Sequence, residues 1–366
     1  MRTAGSGMML IALALLALPA RIPETQAQTP LYQGRQVTIL VGFSAGGGTD
    51  LFARVIAEHL GRHVAGRPTV LVRNMPGAGS MTAANVFAGK VARDGLTIMA
   101  GSGQLLLRIL LGLDGSTARL ADVKPIAAVP MGRITYATPS AGLDPPSRLL
   151  RPREPLILAV PDIISTIDAV IGLTVLKATF RTVIGYPGKN DTRLALERGE
   201  VNLDNQATPV FEASVRPLVK AGRGNIVFAQ GLMAGEAQLR DPALPDVPTV
   251  AELYRTIHGT QPSGPAWEAY KACVLAVGNG GKLLLIHPDI PTEARDALER
   301  GVIAMARGAE FLKAADTVLE GYGFVTGPVL AASVNAIAAT RPTDLAWLRE
   351  LLAREFKMSF GDPRTP

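Results

Sequence analysis

The sequence predicts an α/β protein with mainly parallel β-sheets, and three observations support this fold class. Short β-branched and apolar runs, such as residues 36–43, alternate with segments that show helical periodicity. Glycine- and proline-rich turns separate these elements. The first hundred residues read as strand, helix, strand, helix, strand, an order typical of parallel sheets with right-handed crossovers. A chain of 366 residues, 48% of them hydrophobic, is long enough for two domains of ordinary size.

The same alternation continues along the whole chain. Strands are predicted at 36–43, 68–73, 96–100, 125–129, 134–138, 156–160, 182–186, 201–204, 226–229 and 282–286. Helices are predicted at 49–60, 81–91, 165–177, 191–198, 210–221, 249–257, 291–305, 310–319, 330–339 and 344–356. The proline- and arginine-rich segment 139–154 is predicted to be a surface loop.

The N-terminal segment is typical of a secretory signal peptide. Arg2 is followed by the apolar run 8–20, and Thr25-Gln26-Ala27 places small residues at a cleavage site. We therefore predict a signal peptide at 1–27, cleavage after Ala27, and a periplasmic location. An uncleaved membrane anchor is the alternative. Cys273 is the single cysteine, so no intramolecular disulfide can form, which fits a periplasm better than the outside of an animal cell, where disulfides are common.

Composition and motifs argue against several classes of function. The net charge is +6, but the sequence contains no basic block, so we expect no nucleic-acid partner; the positive charge favours small anions. Residues 42–46, GFSAG, match the letters of a G-x-S-x-G elbow, but we interpret Ser44 as a hydroxyl that donates to a ligand or caps a turn. The sequence has no plausible Cys–His pair and no cluster of metal ligands. We therefore predict neither enzymatic activity nor a bound metal or cofactor.

Glycine-rich loops follow two neighbouring predicted strands and precede helices. Glycine lets a backbone approach a ligand closely, and the free N–H groups at a helix start attract an anion. Because parallel strands end at one edge of a sheet, we expect both loops to face one ligand. The candidate ligand-binding residues of this half of the chain are Phe43, Ser44, Ala45, Gly46, Gly47, Thr49, Asp50, Asn74, Ala78, Gly79 and Ser102.

Three segments of the first third resemble one known family. Residues 42–50 read GFSAGGGTD, residues 74–79 read NMPGAG, and residues 93–98 read RDGLTI. They are similar to the P-F-x-P-G-G-x-x-D, N-x-P-G-A-G and P-D-G-Y-T-L patterns of the solute receptors of tripartite tricarboxylate transporters, also called Bug receptors. Looser similarity follows at 183–203, at 246–252 and from 290 onward. Gly42 and Ala45 stand where the pattern of the first loop has prolines.

The resemblance implies a two-lobed periplasmic-binding-protein architecture of the Venus flytrap type, type II-like, with a mainly parallel sheet in each lobe. It places lobe 1 at 28–128 plus 249–366 and lobe 2 at 129–248. It also implies a monomer that binds a small organic acid or amide and delivers it to membrane permease subunits. An exported enzyme acting on a small anion and a sensing module for a membrane kinase remain alternatives.

The second lobe departs from the family pattern. The family's S-x-G-x-G-[ST]-x-x-H-L loop is absent, and residues 161–167 take its place. We expect Ser165, Thr166 and Asn205 to line the cleft there. Asp162 is expected to repel a second carboxylate, which favours a monoanion or a ligand with an amine or amide over a tricarboxylate. The segment beyond 341 is longer than in the family.

Overall fold

Two five-stranded sheets form the framework of the protein. A computed structural model describes residues 30–319 and 321–361, so the predicted signal peptide lies outside the described residues. The strands are β1 (Gln36–Val41), β2 (Thr69–Asn74), β3 (Thr97–Ser102), β4 (Lys124–Val129), β5 (Arg133–Ala137), β6 (Leu156–Val160), β7 (Phe180–Ile184), β8 (Leu203–Ala207), β9 (Asn225–Ala229), β10 (Leu232–Ala234), β11 (Ala237–Leu239) and β12 (Lys282–Ile286).

Each sheet contains one strand that runs against the other four. The first sheet has the order β2-β1-β3-β12-β4, with β12 antiparallel to both of its neighbours. The second has the order β7-β6-β8-β5-β9, with β5 antiparallel to both of its neighbours. Strands β10 and β11 form a separate hairpin. The predicted α/β fold with a mainly parallel sheet in each half is therefore confirmed.

Helices cover the sheets on both sides, as parallel strands require. They are α1 (Gly48–His63), α2 (Met81–Gly89), α3 (Gly103–Leu111), α4 (Ile167–Val175), α5 (Lys189–Glu197), α6 (Thr208–Val210), α7 (Arg216–Lys220), α8 (Val250–His258), α9 (Pro265–Cys273), α10 (Thr292–Ala306), α11 (Ala309–Leu319), α12 (Gly327–Ala338) and α13 (Pro342–Phe356). No helix of this described part combines the length and apolar composition that a membrane span requires.

Most predicted elements are present, with bounds shifted by a few residues. The helix predicted at 165–177 begins at Ile167, after a 3-10 turn at Ile164–Thr166. The helix predicted at 210–221 contains a π-helical turn at Phe211–Val215. The loop predicted at 139–154 is irregular, but it buries Leu143 and Leu149 in the core, because its apolar side chains turn inward.

The sequence did not predict helices α3 and α9 or the hairpin strands β10 and β11. Gly101 and Gly103 lie at the junction where β3 ends and α3 begins. A Cβ atom at Gly103 would lie 1.7 Å from the carbonyl oxygen of Ala276, so glycine there permits close packing rather than a loop. Helix α9 continues into a π-helical turn at Val274–Asn279, which packs against α3.

Helices α8 and α9 both pack against α4, on the side of the second sheet. The ring of His258, the last residue of α8, lies 3.2 Å from the carbonyl oxygen of Leu176 at the end of α4. The predicted boundary at 249 would assign α8 and α9 to the first lobe, whereas these contacts associate them with the second.

The long C-terminal segment packs onto the body of the protein. Helix α13 lies against α9 and buries Leu348 and Leu352 completely. The guanidinium of Arg349 donates to the carbonyl oxygen of Leu111 at 2.8 Å, and Phe360 pairs with Leu113 just after α3. This segment therefore braces α3 and α9.

Candidate functional site

The first glycine-rich loop is held in place by Asp50. The backbone N–H of Gly46 donates to Asp50 Oδ2 at 2.8 Å. Asn74, at the end of β2, donates from Nδ2 to Asp50 Oδ1 at 2.9 Å and to the carbonyl oxygen of Phe43 at 3.0 Å. These bonds tie the loop after β1 to the end of β2.

The environment of Asp50 favours its charged form. Arg54 donates from Nε to Asp50 Oδ2 at 2.8 Å, and this hydrogen bond, the largest contribution, lowers the pKa of the Asp50 carboxyl to about 2. The Asp50 side chain is 1% exposed. Asp50 and Asn74 therefore position the loop. Its residues Ser44, Ala45, Gly46 and Gly47 are exposed, and Thr49 is half-buried beside them.

The second loop joins the first and has an unusual backbone. Ala78, Gly79 and Ser80 have φ angles of +46°, +61° and +77°. Such angles in Ala and Ser cost of order 1 kcal/mol or more each and are frequent at ligand sites. The Ser80 hydroxyl donates to the carbonyl oxygen of Gly42 at 3.2 Å. The two loops thus lie side by side at one edge of the first sheet, as predicted.

Arg108 of α3 connects this edge to the second sheet. A Cβ atom at Gly79 would lie 2.6 Å from Cζ of Arg108, so the guanidinium rests against the loop backbone. The same group donates from Nη2 to Asp162 Oδ1 at 2.6 Å, in the loop that follows β6. This ion pair is a contact between the two halves of the protein.

Asp162 begins a polar network on the second half. The backbone N–H of Ser165 donates to Asp162 Oδ1 at 3.1 Å, and the Ser165 hydroxyl donates to the Asp162 carbonyl oxygen at 2.7 Å. Arg133, at the start of β5, donates from Nη1 to the carbonyl oxygen of Ser165 at 3.0 Å. Lys189, the first residue of α5, donates from Nζ to Thr166 Oγ1 and to the carbonyl oxygen of Asn205, both at 2.9 Å.

Lys189 lies in a crowded electrostatic environment. Burial is the largest cause that lowers its pKa, and the charge of Arg133 adds to this effect, so the pKa falls to about 8. Asp204, Asp168 and Asp162 oppose the shift. The positive charges of Lys189 and Arg133 therefore face the same region as the Ser165–Thr166 turn.

Several buried polar atoms around this region have no protein partner. They are Ser102 Oγ, Arg108 Nε, Arg133 Nε, Asp168 Oδ1 and Asn205 Oδ1. Buried polar groups are nearly always hydrogen-bonded, because an unpaired one costs about 1–3 kcal/mol. Ser102, which ends β3 directly before α3, is among the candidate residues from the sequence. We conclude that these unpaired atoms mark where a ligand or ordered water is needed.

The structure brings the predicted residues together in two groups. Phe43, Asp50 and Asn74 are joined in the first loop, and Ala78 and Gly79 follow in the second. Ser165, Thr166 and Asn205 are joined on the other half of the molecule, in a network whose partner residues are Arg133 and Lys189.

The sequence analysis did not identify Arg108, Arg133 or Lys189. Arg108 is the one charged side chain in the apolar run 105–111, and this was a signal that could have been used. Asp162 was expected to repel a second carboxylate. That expectation needs correction, because the ion pair with Arg108 offsets the charge of Asp162.

Comparisons of sequence connect the chain to two curated proteins. It is 27% identical over 272 residues to a protein named UPF0065 from Cupriavidus necator, which covers 69% of this chain and 73% of that protein. It is 29% identical over 231 residues to protein BugT from Bordetella pertussis, which covers 61% of this chain and 67% of that protein. No family model matches the chain.

Solved structures show the same fold at lower identity. A TctC solute binding protein from Polaromonas is similar with a TM-score of 0.63 and 19% identity, over 88% of this chain and 99% of that one. An R. palustris protein solved with adipate is similar with a TM-score of 0.58 and 22% identity, over 89% and 98% of the two chains. Sequence and fold together confirm the resemblance: the chain is similar in sequence to a Bug protein and in fold to a TctC solute binding protein.

Proposed function

We propose that the protein is a periplasmic receptor that captures a small carboxylate-containing molecule between two lobes and delivers it to a membrane permease. The observation that carries the proposal is the inter-lobe network. It runs from Gly79 through Arg108 and Asp162 to the Ser165–Thr166 turn. Beside it, the buried donors Ser102 Oγ, Arg108 Nε and Arg133 Nε lack acceptors. A bound carboxylate would supply them.

The relatives support this proposal in two ways. Two proteins of similar fold are described as a TctC solute binding protein and as the periplasmic binding protein BugD. One protein of the same fold was solved with adipate, a small carboxylate. We therefore infer binding without turnover.

The two sheets support two lobes, with lobe 1 built on the sheet of β1–β4 and β12, and lobe 2 on the sheet of β5–β9. We retain 28–128 and 129–248 as the cores of the two lobes. The packing of α8 and α9 on α4 favours a return to lobe 1 after α9 rather than at 249.

Calorimetric titration with matched mono-, di- and tricarboxylates tests the binding function. The variant Gly47→Val adds a side chain to the exposed first loop. Gly47 has φ −78°, and a Cβ there would lie 3.5 Å from its nearest neighbour, so the fold should tolerate valine. We expect the affinity for the bound acid to fall more than tenfold, or about 1.4 kcal/mol, with an almost unchanged melting temperature.

Gly89→Val is the matched control, because Gly89 ends α2, away from the loop that precedes this helix, and a Cβ there meets nothing within 4 Å. It should leave the affinity unchanged. Equal affinity for wild type and Gly47→Val would show that the loop is only structural, and no binding of any carboxylate would contradict the proposed function.

Export is the second part of the proposal. The prediction of cleavage after Ala27 rests on the sequence layout and is tested by N-terminal sequencing of protein from its native host. A mature chain that begins at Gln28 is expected. A cytoplasmic protein that still begins at Met1 would exclude a periplasmic receptor.

A further inference from the structure

We propose that the ligand carries a protonated amine in addition to its acid group, and that Asp168 and Asn205 accept hydrogen bonds from this amine. The proposal rests on the proposed function, because it specifies the ligand of the same inter-lobe site. It assigns to the second lobe a subsite made of hydrogen-bond acceptors, which is surrounded by hydrogen-bond donors.

The subsite consists of two neighbouring side chains with one unused oxygen each. Asp168 and Asn205 are both 1% exposed. Asn205 Nδ2 donates to Asp168 Oδ2 at 3.1 Å. The amide of Gln230, oriented so that both of its ends are paired, donates to the same oxygen at 3.0 Å and accepts from the N–H of Gly278. Asp168 Oδ1 and Asn205 Oδ1 remain buried without a partner.

The two residues that carry these oxygens are neighbours of the inter-lobe network. Asp168 is the second residue of α4, directly after the turn that contains Ser165 and Thr166. The carbonyl oxygen of Asn205 and the hydroxyl of Thr166 share Lys189 Nζ as a donor. The acceptor pair therefore lies next to the Ser165–Thr166 turn, where the sequence predicted that an anion binds.

The chemistry of the pair favours a charged donor. A buried carboxylate oxygen and a buried amide oxygen are both acceptors, so neither can satisfy the other. An ammonium group offers three N–H donors and compensates a buried carboxylate, whereas the acid group of a ligand would be repelled there. The two hydrogen bonds that Lys189 Nζ donates go to Thr166 Oγ1 and to the carbonyl oxygen of Asn205. They therefore leave Asp168 Oδ1 and Asn205 Oδ1 without a donor.

The balance of charge around the site points the same way. Among the described residues, the site contains three cationic side chains and three carboxylates close to them. The cations are Arg108, Arg133 and Lys189, and the carboxylates are Asp162, Asp168 and Asp204. An ammonium group on the ligand offsets one of the negative charges that its acid groups bring, whereas a dicarboxylate without an amine would add two uncompensated negative charges in a site of low dielectric.

The test compares acids that differ only by an amine. We would titrate the wild-type protein with L-aspartate and succinate, with L-glutamate and glutarate, and with L-2-aminoadipate and adipate. In the pair whose chain length suits the cleft, the acid that carries the amine should bind at least tenfold more tightly than the acid that lacks it. The wild-type comparison does not depend on whether any variant folds.

The variant Asp168→Asn assigns the preference to the subsite. It keeps the shape of the side chain but removes its charge and replaces an acceptor with an amide donor, so the preference should fall below threefold. Asp246→Asn is the control, because Asp246 is exposed in a loop outside the site and loses the same charge. It should retain the full preference. Melting temperatures of both variants report folding.

Each outcome decides a separate point. A tenfold preference that Asp168→Asn abolishes supports the proposal. Equal or tighter binding of the acids without an amine overturns it, and this would leave the binding function intact. A preference that survives in folded Asp168→Asn overturns the role of Asp168. Binding of no acid from either series would contradict the proposed function itself.

Discussion

At the scale of single residues, Asp50 shows how a short polar side chain can shape a glycine-rich loop. Its two oxygens accept from the backbone of Gly46 and from the side chains of Arg54 and Asn74. The sequence analysis placed Asp50 and Asn74 among the ligand-binding residues. Their bonds within the protein indicate a positioning role, in which they hold the exposed backbone of the loop ready for a ligand.

Asp50→Asn should therefore destabilise the protein in a pH-dependent way. The pKa is lowered from 3.8 to about 2 in the folded state, so the carboxylate stabilises the fold above pH 4, and this contribution is lost as the pH falls toward 2. Because Arg54 is half exposed, we discount the shift and expect a loss of about 1 kcal/mol at pH 7.

Denaturant unfolding at pH 7 and at pH 2.5 or below, within the range where the protein folds, measures this difference. Glu58→Gln, an exposed residue of the same helix, is the control and should change the free energy of unfolding by less than about 0.5 kcal/mol. An Asp50→Asn protein as stable as wild type at pH 7 would contradict the positioning role.

At the scale of elements, the sequence predicted the strands of the two five-stranded sheets and the glycine loops because their signals are local. Residues 36–41 show β-branched alternation, and the loop that follows has glycines at consecutive positions. Helices α3 and α9 were missed because tertiary contacts decide them. Gly103 is a glycine because the backbone of Ala276 lies against it, and not because the chain forms a loop there. Likewise, Arg133 and Lys189 converge on residues 165–166 from β5 and α5, and no spacing in the sequence records that proximity.

Helix α13 gives the long C-terminal segment a structural role. It packs against α9, and Arg349 caps the carbonyl end of α3. Helix α3 carries Arg108, and α9 packs on α4. Helix α13, which contacts both α3 and α9, therefore supports both sides of the inter-lobe site. We therefore expect its apolar face to stabilise the whole protein.

Leu352→Ala tests this role. Leu352 is fully buried, so truncation should lower the free energy of unfolding by about 3 kcal/mol through lost burial and the resulting cavity. Arg354→Ala, two residues further on, removes a half-exposed side chain that pairs with Glu355, and should cost less than about 1 kcal/mol. Urea unfolding measures both, and similar small losses in the two variants would show that α13 contributes little.

At the scale of the whole molecule, the two halves meet through polar contacts that a ligand would complete. Arg108 touches the Gly79 loop on one side and Asp162 on the other, and its Nε has no partner. Asp162 is half exposed, so the ion pair alone adds little stability. We infer that the bound acid, together with this pair, holds the lobes closed.

Native mass spectrometry of the protein purified from its host tests this account most directly. We predict one small acid, released on unfolding, for each wild-type chain. Arg108→Gln, which keeps a polar side chain but loses the charge, should retain the fold and carry less than a tenth of that acid. A wild-type chain that carries no small acid, and takes up none when acids are added, would contradict the claim that this protein captures a carboxylate between its lobes.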